Sequence, residues 1–138
     1  MKIGMDLHGV LDGMLCTKVR SSEKSALWLL FVRQMVHSGH EVHLISGPTR
    51  SQIIGELVEL NIDSNEFTDI FSVVDYLKDH GAKMWQDPPD SGRWFTDDSV
   101  WWATKGEIAK DLELDIMFDD SQQYAEAMPE NVKFVLVK

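Results

Sequence analysis

Asp6, His8, Ser46, Lys105 and the pair Asp119-Asp120 are the residues of this chain whose types and settings invite chemistry. Asp6 follows the apolar run Ile3-Gly4-Met5, Ser46 follows Leu44-Ile45, and Asp119-Asp120 follows Ile116-Met117-Phe118. Carboxylates drawn into one place repel one another, and a hard cation relieves the repulsion. Magnesium prefers oxygen ligands and keeps several waters, so one or two protein carboxylates suffice. Such an ion can bind a substrate phosphate and offset the charge of a carboxylate attacking it. An aspartate is able to be that nucleophile, forming an acyl-phosphate that water then hydrolyses. Lys105 adds a cation. The pattern Thr104-Lys105-Gly106-Glu107 fits a capping box, which places the lysine in the first turn of a helix. The macrodipole disfavours a cation there unless an anion binds at the same end. A solvated surface lysine is the plainer alternative.

Elements must bring these residues together. Ile3 to Leu7 reads as a short buried strand, with Gly9 and Gly13 marking a turn-rich stretch after it. Leu27, Leu30, Phe31, Met35 and Val36 recur at helical spacing and predict a helix over 22–38, ended by Gly39. Glu41 to Ser46 is a second strand, broken by Gly47-Pro48, and Thr49 with Gln52 caps a second helix. Asp69 to Val74 reads as a third strand with a helical or turn segment running to Gly81. Arg93 to Ala103 is expected as a β-hairpin or extended excursion. A helix from Thr104 to about Leu112, a strand Ile116–Phe118, a short helix Gln122–Met128 and a strand Val132–Val137 complete the chain. This alternation predicts an α/β fold: a doubly wound parallel sheet with helices on both faces, in one domain spanning 1–138. Ligands of such sheets bind outside the carboxyl ends of the strands. Asp6, His8, Ser46, Gly47, Asp119 and Asp120 all lie just there.

The bulk properties narrow the field. At 138 residues the chain is long enough to bury a core. Its longest apolar run, Ala26 to Val32, is too short to span a bilayer. No signal-peptide pattern opens it, and one cysteine cannot form an internal disulfide, so a cytoplasmic setting is expected. The net charge of −10 counts against nucleic acid and anionic membrane as partners. A protein so charged that acts on phosphates needs a local positive centre.

Together, Asp6-Leu7-His8-Gly9-Val10-Leu11, Leu44-Ile45-Ser46-Gly47, Lys105 and Ile116-Met117-Phe118-Asp119-Asp120 resemble the four ordered motifs of the haloacid dehalogenase (HAD) superfamily of phosphohydrolases. The resemblance implies a Rossmann-like three-layer core and a Mg2+-dependent phosphomonoester phosphatase. It implies Asp6 as nucleophile. Asp6, Asp119 and the backbone carbonyl of His8 would be metal ligands, with Asp120 supporting the metal through water or by contact with a ligand. Ser46 and Lys105 would hold the phosphoryl oxygens, assisted by backbone amides around Gly9 and Gly47. No full cap insertion fits between the motifs. The expected substrate is therefore a small phosphorylated molecule at an open site, a nucleotide among the candidates, with a second subunit able to cover it. A nucleic-acid end is disfavoured by the acidic charge.

His8 departs from the family pattern, which has a second aspartate there. Histidine is chemically able to protonate a leaving oxygen and then activate water. Three readings stand: a working acid/base, a slow or phosphoryl-trapping enzyme, or a phosphate- and magnesium-binding protein without turnover that acts through partner contacts.

Other candidates have plainer readings. Asp97-Asp98-Ser99 is expected as a solvated turn. His37, His40 and His43 are expected as cap and surface residues, without a cysteine to make a zinc site. Cys16 is expected to pack. Trp85, Trp94, Trp101 and Trp102 either pack an edge hairpin or stack on an aromatic substrate.

Overall fold

The computed structural model describes residues 1–15 and 18–138. Cys16 therefore lies outside the described residues.

Five parallel strands form the main sheet: β1 (Lys2–Met5), β2 (Glu41–Ser46), β3 (Asp69–Ser72), β6 (Ile116–Asp119) and β7 (Lys133–Leu136). Between β3 and β6 lies a separate antiparallel ribbon, β4 (Trp85–Gln86) with β5 (Trp94–Phe95). The sheet order is β3-β2-β1-β6-β7, so the chain winds outward from β1 on one side and returns to build the other. Neighbours of β1 therefore connect in opposite directions, and a crevice opens at the carboxyl ends of β1 and β6.

Among the described residues four α-helices cover the sheet: α1 (Ser22–His37), α2 (Arg50–Glu59), α3 (Val73–Asp79) and α4 (Asp98–Asp111). The period-two alternation of the strands sorts side chains between two cores. Met5, Leu44 and Phe118 pack with Trp28, Val32, Ile53 and Leu57, so α1 and α2 lie on one face. Ile45 and Met117 pack with Val73, Leu77, Ile108 and Ala109, so α3 and α4 lie on the other. The result is an α/β fold with three layers, compatible with a Rossmann-like arrangement. No helix among the described residues is long and apolar enough to cross a membrane.

Several boundaries differ from the expectations, each for a local reason. β3 ends at Ser72, whose hydroxyl accepts from the Asp75 N–H and starts α3 immediately. The excursion is only partly extended. Trp94-Phe95 pairs with Trp85-Gln86, but from Asp98 onward the chain is helical through Trp101, Trp102 and Ala103. Asp97 and Asp98 are thus the exposed start of α4 rather than a turn. Thr104 is not a cap: its Oγ1 donates to the Val100 carbonyl at 2.7 Å within the helix. Gln122–Ala127 is a 3-10 helix. His37 is exposed and ends α1 as expected, whereas His43 is buried in β2, because inward-facing positions of a central strand take whatever residue stands there.

Candidate functional site

Asp6 is the first residue beyond β1, and its N–H still donates to the Phe118 carbonyl at 3.0 Å, which holds the strand end against β6. Its Oδ1 accepts from the Leu7 N–H at 2.8 Å. The chain then makes a tight helical turn over Leu7–Leu11, interrupted by Gly9 at φ +78°. Only glycine serves at this position. A Cβ here would lie 2.0 Å from Asp120 Oδ2, so the turn rests directly against the acidic pair. Asp12 Oδ1 pins the same turn by accepting from the N–H groups of Gly9 and Met14.

One oxygen from each of Asp6, Asp119 and Asp120 falls within 4.8 Å of the others. Asp6 and Asp119 are buried; Asp120 is exposed. Lys105 reaches into this group, with Nζ 2.6 Å from Asp119 Oδ2 and 3.3 Å from Asp6 Oδ1. It does so from well inside α4, not from the helix N-terminus. What places a cation there is the pair of carboxylates, and the macrodipole has no part in it. Burial alone would lower the Lys105 pKa, but attraction to Asp6 and Asp119 overrides it and raises it. The helix can come this close because Gly106 abuts the segment 122–127: a Cβ on it would stand 2.1 Å from the Ala127 carbonyl oxygen. Asp119 is satisfied on both sides, its Oδ1 accepting from the Ser121 N–H at 2.9 Å.

The charges do not balance. Burial, with repulsion from Asp119, pushes the Asp6 carboxyl up to about 6 despite Lys105. Asp120 is raised for the same two reasons. Three carboxylates against one ammonium, with only oxygen donors, suit a hard divalent cation of the magnesium type.

Ser46, wholly buried at the end of β2, is 3.5 Å from His8 Nδ1 through its hydroxyl. The other ring nitrogen of His8 lies 2.5 Å from Glu56 Oε2. Glu56 was not expected in the site. Its signal was the capping box at Thr49, which sets the start of α2 and puts Gln52 and Glu56 four residues apart on one face. Both line the same cavity as His8. Gly47 contributes a close approach, since a Cβ on it would lie 3.0 Å from the Trp101 ring.

The cavity over these groups has a volume of about 520 Å³. Its lining combines the polar groups of Asp6, His8, Lys105 and Asp120 with the aromatic rings of Trp94, Phe95, Trp101, Trp102 and Tyr124. Tyr124 ties the two together. Its hydroxyl accepts from Trp101 Nε1 at 3.0 Å, and Lys105 Nζ lies 4.2 Å from its ring centroid. Burial raises the phenol's pKa, so it stays neutral. Trp85 is outside this cavity, with 43% of its surface exposed.

The chain was compared with family models, with curated proteins and with solved structures, and it matches none of them.

Proposed function

We propose that the chain is a HAD-like, Mg2+-dependent phosphomonoester phosphatase that passes the phosphoryl group through Asp6. The observation that carries this reading is the set Asp6, Asp119, Asp120 and Lys105 at the carboxyl ends of two adjacent parallel strands, under an open cavity. Asp6, Asp119 and the carbonyl of His8 would hold the ion, with Asp120 supporting it through water. Once bound, Mg2+ would neutralise phosphoryl oxygens and so allow one anion to approach another.

The chain's own residues account for the rest. Asp6 Oδ1 is engaged by Lys105 and the Leu7 N–H, which leaves Oδ2 to attack phosphorus. Ser46 and Lys105 hold equatorial oxygens of the phosphoryl group, with the Gly47 backbone as a further donor. The bond from Asp6 to phosphorus forms as the ester P–O bond breaks, and protonated His8 gives its proton to the leaving oxygen. Neutral His8 then takes a proton from the water that attacks phosphorus, releasing inorganic phosphate and the Asp6 carboxylate. The pairing of His8 with Glu56 supports the acid/base reading, since a carboxylate partner orients an imidazole.

The test is a phosphatase screen across nucleotides, sugar phosphates and phosphorylated polymers, with and without Mg2+. Hydrolysis that requires Mg2+ and is lost in Asp6→Asn is expected. Activity surviving in Asp6→Asn overturns the mechanism. Binding of Mg2+ and phosphate without turnover of any ester leaves a binding protein in its place.

A further inference from the structure

Four aromatic residues line the cavity at the proposed phosphoryl site, and of these Trp101 also packs against the core. Trp94 and Phe95 come from the ribbon, Trp101 and Trp102 from the first turns of α4. Phe95 is 37% exposed, and the three tryptophans are only half-buried. All four line the main cavity. The same four line a smaller hollow of about 220 Å³, which touches none of Asp6, His8, Lys105 or Asp120. Rings from two different elements, with Thr96 and Asp98, thus border a hollow whose lining holds none of the reacting groups.

These side chains are held in place. The Trp101 indole is bonded to Tyr124, the Trp102 ring meets the Tyr124 ring edge-on at 4.9 Å, and the Lys78 ammonium sits 3.5 Å from the Trp94 ring centroid. The ribbon tip is tied to α2 by Gln52 Nε2, which donates to the Gly92 carbonyl at 3.1 Å. A rigid aromatic slot loses little conformational entropy on taking up a flat ring. Arg93, which also lines the main cavity, adds a guanidinium near Phe95.

Resting on the phosphatase reading, we infer that the substrate is a nucleoside monophosphate, its base stacked among Trp94, Phe95, Trp101 and Trp102 while its phosphate meets Asp6. A hollow that shares no lining with Asp6, His8, Lys105 or Asp120 favours this over an aryl phosphate, whose ring would be joined directly to the ester oxygen. In a nucleotide the sugar separates the base from the phosphate. The net charge of −10 favours a mononucleotide over a polyanionic strand.

The experiment compares kcat/KM for adenosine 5′-monophosphate, ribose 5-phosphate and p-nitrophenyl phosphate with Mg2+ present. It also compares binding of the first two to the Asp6→Asn protein by calorimetry. Base stacking on aromatic side chains predicts a preference for the nucleotide over ribose 5-phosphate of roughly 5- to 150-fold in both assays. Trp94→Ala and Trp102→Ala should shrink that ratio severalfold, while Trp94→Phe, which keeps a ring, should retain most of it. Equal values for nucleotide and ribose 5-phosphate would overturn the inference, as would a preference for p-nitrophenyl phosphate or a ratio untouched by both alanine variants. A protein that hydrolyses no ester yet binds the nucleotide preferentially would keep the base site and overturn the phosphatase reading alone.

Discussion

At the residue scale, the centre of the molecule is a buried ammonium held by two buried carboxylates. Removing one member of such a group leaves uncompensated charge in a low-dielectric site, typically at a cost of ~3–5 kcal/mol. Lys105→Met is therefore expected to destabilise the metal-free protein by about that amount in urea denaturation. An unchanged midpoint would mean that water already screens the group. Asp6 has the opposite tendency. It binds its proton more tightly in the folded protein, at about 6, than in the unfolded chain, at 3.8. Between those values the folded state holds more protons, so stability falls as the pH rises through this window. Metal-free protein should then gain on the order of 1–3 kcal/mol when the pH drops from 7 to about 5. Mg2+ should flatten this slope by competing with the proton. Thermal melts at several pH values, with and without Mg2+, measure it. A metal-free protein that only loses stability on acidification would contradict the raised pKa.

At the element scale, strand ends carried most of what could be read from the sequence. Asp6, Ser46, Asp119 and Asp120 stand just beyond or at the ends of β1, β2 and β6, and parallel topology alone brings such residues to one edge. Helix faces were far less legible. Glu56 looks like any solvated carboxylate until α2 is docked, and Lys105 was placed at a helix start on a false capping box. The true start of α4 was hidden because Ser99-Val100-Trp101-Trp102 is as compatible with a strand as with a helix. α4 packs closely on the 3-10 helix at Gly106. Gly106→Ala puts a Cβ 2.1 Å from a carbonyl oxygen and should cost about 1–3 kcal/mol by overpacking, displacing Lys105 with the helix. A variant as stable as wild type, with unaltered Mg2+ affinity in calorimetry, would show that this contact is not what seats the lysine.

At the scale of the whole molecule, the fold divides labour between its two edges of the cavity. The five-stranded sheet supplies the acidic centre, and the two-stranded ribbon with the start of α4 supplies an aromatic wall where a larger cap was not expected. The chain bears −10 overall, and among the described residues Lys105 is the buried lysine, so on the proposed reading a phosphate would be drawn to the cation concentrated there. The central claim is that Asp6 itself accepts the phosphoryl group. Hydroxylamine tests it most directly, because it captures an acyl-phosphate as a hydroxamate. Protein turning over p-nitrophenyl phosphate with hydroxylamine present should carry a hydroxamate on Asp6, found by peptide mass spectrometry, only when Mg2+ is supplied and never in Asp6→Asn. Steady turnover with Asp6 unlabelled, or with the label on another residue, would contradict it.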